Sequence, residues 1–303
     1  MTDYQALLAE LAVPRLTGSA PAERVRAVLK RELAARGFVA MEHRFVGRSP
    51  LYRWGRALLA GVNLIAVRPH ARVATWLVAH YDSKGQSLSM AARLGAAALA
   101  GLGGVELLGL LVRGLVGPVH LGGPDALLGA AGGLGVLLLL GSSRATDRSA
   151  GAVDNGTGVV AVLATVDALP PEAGVGVIFP DAEEYGLVGS RALVRERAHL
   201  LANTSVVNFD GIDDRGPTIA LVHRRGPATE RLVAGLGARR ARWLPVLVDG
   251  SVLGRAARES VTVMRGDWRT ACTVHSRRDT AGRLTLAGVS GVARAVAAEL
   301  DRG

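Results

Sequence analysis

The chain has 303 residues, a formal net charge of +10, 49% hydrophobic residues and only 4% aromatic residues. This length suits one large α/β domain or two small ones, with a core built mainly from leucine, valine and alanine. The single cysteine, Cys272, excludes an intrachain disulfide and is expected to be a buried filler, and the lack of zinc-finger, helix-turn-helix or basic–aromatic patterns predicts no nucleic-acid partner.

Short apolar runs along the chain predict buried strands, and segments with a 3.6-residue period predict amphipathic helices. The predicted strands are 38–46, 63–69, 75–82, 175–181, 205–211 and 218–224. The predicted helices are 22–36, 158–169, 226–240 and 285–302. Because strands alternate with helices, the pattern predicts an α/β sandwich around a mostly parallel sheet.

Residues 90–141 differ from the rest of the chain because they are almost entirely Gly, Ala, Leu and Val. The stretch Leu94–Val112 carries one charge, Glu106, to which we assign no catalytic role, and Ala126–Leu140 carries none. A helix needs about 20 apolar residues to cross a bilayer, so we predict an inserted, membrane-spanning helical hairpin. The alternatives are a hairpin buried in a dimer interface or lying flat on a membrane. Residues 1–85 and 149–303 would then form one domain around the insertion.

The charges around this hairpin predict its orientation. Lys84, Arg93, Arg144 and Arg148 flank it, whereas the connecting loop carries only Arg113. The positive-inside bias therefore places the α/β domain in the cytoplasm. The mixed, polar N-terminal sequence does not have the pattern of a signal peptide, which agrees with this orientation.

Polar side chains collect where the predicted strands end, the edge at which α/β sheets bind ligands. They are His80, Asp82, Asp181, Glu183 and Asp210, with Glu184, Asp154 on a Gly-rich loop and His275 near the C-terminus as further candidates. Two imidazoles and several carboxylates suit zinc, and two ions about 3.5–4 Å apart need a bridging carboxylate. One of the adjacent glutamates could bind metal while the other acts as a base, and the metal would offset their repulsion.

Five motifs in this order, HYD, GAVDNGTG, EEYGLVGS, NFDG and HSRRDT, resemble those of the M28 family of co-catalytic zinc aminopeptidases. The resemblance covers roughly 1–85 and 149–303. It implies a three-layer α/β sandwich of the zinc-dependent exopeptidase (phosphorylase/hydrolase-like) type, with a mostly parallel, mixed central sheet and helices on both faces. It also implies peptide substrates and two zinc ions in each chain.

The resemblance further implies a role for each matching residue. Asp154 would bridge the two zinc ions, and Glu183 would be the general base toward the bridging water. Asp82 would hold the ring of His80 in the correct tautomer. The implied ligands are His80, Asp154 and Asp210 for one zinc, and Asp154, Glu184 and His275 for the other.

Two departures from the family pattern bear on function. The hydrophobic hairpin lies inside a connection that is usually short, and no tyrosine follows Tyr185 to support an oxyanion. We therefore keep two alternatives beside the aminopeptidase: another amide chemistry at the same site, such as glutaminyl cyclisation or deacylation, and a non-catalytic membrane-bound binding protein. The sequence leaves the oligomeric state open.

Overall fold

The computed structural model describes residues 2–50, 58–118, 121–142, 145–241, 244 and 246–302. It divides into two compact units. The large unit comprises Met1–Gly85 and Asp147–Gly303, and the hairpin unit comprises Gln86–Thr146.

An eight-stranded mixed sheet runs through the described part of the large unit, in the order β1-β2-β6-β3-β7-β10-β8-β9. Its strands are β1 (Val39–Gly47), β2 (Leu59–Val67), β3 (Thr75–Val78), β6 (Val175–Phe179), β7 (Ser205–Ile212), β8 (Thr218–Arg224), β9 (Arg239–Ala241) and β10 (Glu259–Arg265). Two further short strands, β4 (Gly85–Gln86) and β5 (Ala145–Thr146), pair in a separate sheet.

The helices of the described residues fall between these strands. They are α1 (Tyr4–Leu11), α2 (Ala20–Ala35), α3 (Met90–Val116), α4 (Gly123–Ser142), α5 (Thr157–Ala168), α6 (Val188–Arg197), α7 (Pro227–Gly235), α8 (Asp249–Leu253), α9 (Trp268–Ala271) and α10 (Ala287–Asp301). An irregular turn, Ala152–Gly156, leads directly into α5, and the backbone angles of Asp154 and Asn155 in it are not helical. The predicted α/β fold with a mixed central sheet is therefore confirmed.

The centre of the sheet brings the ends of separate strands together. Strands β6, β3, β7 and β10 are neighbours and run parallel. The outer pairings β1–β2, β2–β6 and β10–β8 are antiparallel. Because the carboxyl ends of the four central strands meet at one edge, the loops that follow them share one region of the surface.

Apolar side chains on both faces of the sheet hold the helices in place. On one face, α1, α2, α5, α7 and α10 pack into a continuous core that includes Leu8, Leu29 and Leu163. On the other face, Leu193 of α6 and Leu253 of α8 pack against strand residues such as Trp76. Full burial of these side chains is the main favourable contribution to the fold.

The hairpin unit consists mainly of α3 and α4, packed against each other through glycine. A Cβ added at Gly103 would lie 2.5 Å from the Cα of Gly132, so the two backbones touch. The outward side chains are apolar, and Leu115 and Val116 are 88% and 89% exposed. By length and composition, α3 and α4 are each apolar enough to cross a membrane.

Several features of the large unit differ from the sequence predictions. Strand β3 ends at Val78 rather than at 82, because residues 79–84 form the loop that carries His80. Strand β10 was not predicted, although it lies in the middle of the sheet. Cys272 is partly exposed rather than buried, because it is the C-terminal cap of the one-turn helix α9.

Candidate metal centre

Side chains from five separate segments converge at the carboxyl edge of the central strands. The structure groups them into two clusters, within each of which the potential ligand atoms lie within 4.8 Å of one another. One cluster is His80, Glu183 and Asp210, and the other is Asp154, Glu184 and His275. The seventh predicted site residue, Asp82, lies beside His80.

Asp154 lies between the two histidines. Its Oδ1 is 3.2 Å from Nε2 of His80, and its Oδ2 is 2.9 Å from Nε2 of His275. Nε2 of His275 is also 3.0 Å from Oε2 of Glu184. Each oxygen of Asp154 therefore faces a different histidine, which is the arrangement that a carboxylate bridging two cations requires.

The ligand atoms of this site fit a metal ion better than they fit one another. Within the described residues, Oε1 of Glu184 and Nδ1 of His275 are buried without a hydrogen-bond partner. Nε2 of His80 and Nε2 of His275 are buried close to carboxylate oxygens, but these contacts do not have hydrogen-bond geometry. A buried polar atom without a partner costs about 1–3 kcal/mol, so such groups are normally satisfied. Imidazole nitrogens and carboxylate oxygens are typical zinc ligands, and zinc binding would satisfy these atoms together.

Asp82 connects the loop of His80 to the loop of the paired glutamates. Its Oδ1 accepts the backbone N–H of Glu183 at 3.1 Å, and its Oδ2 accepts that of Glu184 at 3.2 Å. Nδ1 of His80 lies 3.4 Å from Oδ1 of Asp82 and 3.2 Å from its carbonyl oxygen. Asp82 therefore orients an imidazole and two glutamates at once.

Asp279 and Asn155 hold the turn that carries Asp154 in place through hydrogen bonds. The carboxylate of Asp279 accepts the backbone N–H of Val153 at 2.7 Å and that of Asp154 at 3.3 Å. The side-chain amide of Asn155 donates to the carbonyl of Phe209 at 2.8 Å, directly before Asp210. These bonds fix Asp154 relative to the chain segments that carry Asp210 and His275.

The close spacing of acids and imidazoles shifts their pKa values. Burial raises the pKa of Glu183 well above its usual range, and burial likewise raises the pKa of Asp210 to about 7. Burial alone would lower the pKa of His275, but the facing carboxylates raise it to about 9. Burial opposes ionisation of Asp154, yet His275 and His80 hold its pKa well below the ordinary value. The ionisation of each of these groups therefore depends strongly on the charges of its neighbours.

Three buried groups at this site were not predicted from the sequence. Nζ of Lys84 lies 3.1 Å from Oε2 of Glu184 and donates to its carbonyl at 2.7 Å. Asp249 is fully buried and accepts the hydroxyl of Ser190 at 2.5 Å. The guanidinium of Arg15 is also buried. Two of these groups could have been found in the sequence. Lys84 is one of two lysines and follows the HYD motif closely, and Arg15 lies in an N-terminal stretch that the resemblance covers. Asp249 carried no such signal.

Asp181 was grouped with the site residues in the sequence, but the structure gives it different partners. Its carboxylate accepts the hydroxyl of Thr17 at 2.8 Å and that of Tyr81 at 3.0 Å. It also accepts the backbone N–H of Val62 at 3.0 Å and of Ala182 at 2.8 Å. With both oxygens occupied, Asp181 stabilises the end of β6 and belongs to neither ligand cluster.

The chain matches one family of known sequences. Residues 128–243 match the model of peptidase family M28. This segment contains Asp154, Glu183, Glu184 and Asp210 and lies between His80 and His275 in the sequence. No curated protein matches the chain at the significance required.

Solved structures show the same fold at low sequence identity. The zinc aminopeptidase BSAP of Bacillus subtilis has a TM-score of 0.65 at 11% identity, covering 99% of this chain and 94% of that one. The glutaminyl cyclase of Porphyromonas gingivalis has a TM-score of 0.64 at 15% identity, covering 99% and 96%. The LapA aminopeptidase of Legionella pneumophila has a TM-score of 0.60 at 15% identity, covering 99% and 72%. The chain therefore has the fold of these structures, and its residues 128–243 match peptidase family M28.

Proposed function

We propose that the protein is a zinc-dependent metallopeptidase, of the aminopeptidase type, that holds two zinc ions. The observation that carries the proposal is the position of Asp154, whose two oxygens face His80 at 3.2 Å and His275 at 2.9 Å. Asp210 would complete the set around His80, and Glu184 the set around His275. When bound, the zinc ions would supply Lewis acidity toward the scissile carbonyl and toward the attacking water.

Glu183 is the residue that we propose as the general base. Its carboxylate is buried, and Oε2 lies 3.9 Å from Nε2 of His80, within the cluster that also contains Asp210. There it would take a proton from the attacking water and pass it to the nitrogen of the leaving amine. Asp82 supports this step because it holds the backbone of Glu183 and the ring of His80 in place.

Zinc content tests the metal centre most directly. We expect about two zinc ions per chain in detergent-purified wild type, by elemental analysis, because two ligand sets share Asp154. The Asp154→Ala variant should lose most of this metal, while its far-UV circular dichroism remains that of the wild type. Wild type without stoichiometric zinc would contradict the proposal and favour a non-catalytic binding protein.

A product assay separates the aminopeptidase from the other amide chemistries. The same peptide would be supplied with a free amino terminus, with an acetylated one and with an N-terminal glutamine. An aminopeptidase releases the first amino acid of the free peptide, whereas a glutaminyl cyclase releases ammonia and leaves the chain intact. Release of acetate from the acetylated peptide would instead identify a deacylase.

We also propose that the hairpin unit inserts into a membrane, with the large unit in the cytoplasm. The protein itself buries little of either helix: 6% of the most apolar stretch of α3 and 11% of that of α4. The ion pair of Glu106 with Arg113, at 2.8 Å, reduces the cost of placing Glu106 in lipid. Lys84, Arg93 and Arg148 flank the hairpin on the proposed cytoplasmic side. Arg144, which the sequence prediction also used, lies outside the described residues.

Membrane fractionation tests this placement. We expect the full-length protein to stay in the membrane pellet after alkaline carbonate extraction and to need detergent for release. Protease added outside intact cells should leave the large unit uncut. A protein that is soluble after lysis without detergent, and whose oligomer size alone changes when residues 90–141 are deleted, would show that the hairpin is a subunit interface.

A further inference from the structure

Arg15, in the segment between α1 and α2, is one of the largest fully buried side chains of the protein. It is 1% exposed. Among the described residues, no carboxylate lies within ion-pair distance of its guanidinium. Burying a cation without a carboxylate partner destabilises the folded state, because the cation loses its hydration. The hydrogen bonds of the guanidinium must offset this loss.

The guanidinium of Arg15 bonds to the two loops that carry His80 and Asp154. Its Nε donates to the carbonyl of Tyr81 at 2.6 Å, directly beside His80 in sequence. Its Nη1 donates to the carbonyl of Ala150 at 2.5 Å, and Nη2 to that of Gly151 at 2.9 Å. One rigid, planar group therefore spans both loops.

The backbone around Arg15 strengthens this connection. The N–H of Arg15 donates to Oγ of Ser83 at 3.1 Å, and the N–H of Ser83 donates to the carbonyl of Arg15 at 3.2 Å. Gly151 has a φ of +59°, and a Cβ there would lie 2.5 Å from Cβ of Ser83 and 3.1 Å from Nη1 of Arg15. The loops meet so closely that only glycine fits at this contact.

These contacts determine the distance between two potential zinc ligands. His80 directly precedes Tyr81, and Asp154 lies three residues after Gly151. The 3.2 Å contact between Nε2 of His80 and Oδ1 of Asp154 therefore depends on loops that Arg15 holds together. A metal centre tolerates little change in ligand spacing, and supporting groups of this kind commonly contribute 10–100-fold to metal affinity.

We propose that Arg15 is a positioning residue, which sets the spacing of His80 and Asp154 and thereby the affinity of the centre for zinc. The inference rests on the proposed metal centre. It assigns to the N-terminal segment a function in metal binding, through hydrogen bonds to backbone carbonyls and without any contact to the metal.

The Arg15→Lys substitution in the full-length protein tests this inference. Lysine keeps the positive charge, but its compact ammonium group lacks the planar fork with which Arg15 spans the carbonyls of Tyr81, Ala150 and Gly151. We expect a 10–100-fold weaker affinity for zinc, measured by competition with a chromophoric chelator. The visible absorption spectrum of the cobalt-substituted protein should also change, because it reports the ligand geometry.

Arg36→Lys is the matched control, since Arg36 is also a mostly buried arginine. It bonds to Glu32 at 2.9 Å and to Asp167 at 2.7 Å, which are not among the ligand residues. This control should destabilise the fold while zinc affinity and the cobalt spectrum stay as in wild type. Equal zinc affinity in wild type and Arg15→Lys, or an equal loss in Arg36→Lys, would overturn the inference.

A second variant covers the case in which Arg15→Lys does not fold. Ser83→Ala removes the hydroxyl that accepts the backbone N–H of Arg15 at 3.1 Å and donates to the carbonyl of Ser149 at 3.5 Å. We expect it to weaken zinc binding several-fold. Unchanged affinity in Ser83→Ala, with Arg15→Lys unfolded, would also overturn the inference. If the wild type binds zinc but hydrolyses no peptide, only the proposed peptidase activity is refuted. If the wild type binds no zinc, the peptidase activity and the role of Arg15 are both refuted.

Discussion

Leucine has opposite surroundings in the two units of this protein. In the large unit, Leu33 and Leu163 are completely buried, and helices cover both faces of the sheet. In the hairpin unit, Leu115 is 88% exposed and Leu127 is 71% exposed. The large unit therefore buries its apolar surface within the chain, whereas the hairpin unit presents it outward to a partner that we propose is lipid.

The polar groups differ in the same way. The large unit encloses many acidic and basic side chains, and backbone hydrogen bonds hold them at the ligand clusters. In the hairpin unit, Arg113 pairs with Glu106 at 2.8 Å and with Asp125 at 3.0 Å. Hydropathy alone therefore does not determine burial, since both units are rich in apolar residues and only one of them forms a core.

The largest expected effect is in the large unit, at the adjacent glutamates. We expect Glu183→Gln to reduce kcat for peptide hydrolysis by about 10²–10⁴-fold, with zinc retained, because only the proton transfer is lost. The same change one residue later, Glu184→Gln, should instead reduce zinc content, because that residue is a proposed ligand. Full activity in Glu183→Gln would refute the assignment of the base.

Two leucine truncations measure the difference between the units directly. Leu33→Ala should reduce the free energy of unfolding of the large unit by about 2–5 kcal/mol, because it leaves a cavity in the core. Leu115→Ala should change that free energy by less than about 0.5 kcal/mol. Urea titration in mild detergent would measure both. A similar loss in the two variants would mean that the hairpin packs as a core helix.

Adjacent glycines in α4 test how the hairpin is held together. An added Cβ at Gly132 would lie 2.6 Å from Cα of Gly103, whereas one at Gly133 would meet nothing within 4 Å. Gly132→Ala should therefore destabilise the helix pair by about 1–3 kcal/mol, through overpacking. Gly133→Ala should stabilise it by up to about 1 kcal/mol, through helix propensity. Thermal melting of the helical signal in detergent would give the two signs, and equal signs would exclude the close approach.

A further expected effect in the large unit is a pH dependence of its free energy of unfolding. Burial lowers the pKa of His223 from its usual 6.5 to about 4. Its neutral form is therefore favoured in the folded state, and its contribution to stability is lost as the pH falls from about 6.5 toward 4. The free energy of unfolding of wild type should fall more steeply over this range than that of His223→Gln. Parallel curves would show that His223 titrates normally.

Local patterns in the sequence were sufficient to predict many elements of the fold. Apolar periodicity located most strands and helices, and the order of the motifs located His80, Asp154, the paired glutamates, Asp210 and His275 as site candidates. The uninterrupted apolar stretches located the hairpin. The strand, helix and hairpin predictions depend on neighbouring residues only, since alternation, helical period and apolar stretches are properties of short segments. The site predictions also depended on the resemblance of five separated motifs to those of a known family.

The tertiary structure decided which polar groups meet and which do not. Asp181 and Glu183 follow the same strand, yet Asp181 bonds to Thr17 and Tyr81 and lies outside the ligand clusters. Arg15 reaches the carbonyl of Ala150 across 135 positions of sequence. Such contacts have no local signal, because they exist only after the order of the strands in the sheet has brought distant loops to one edge.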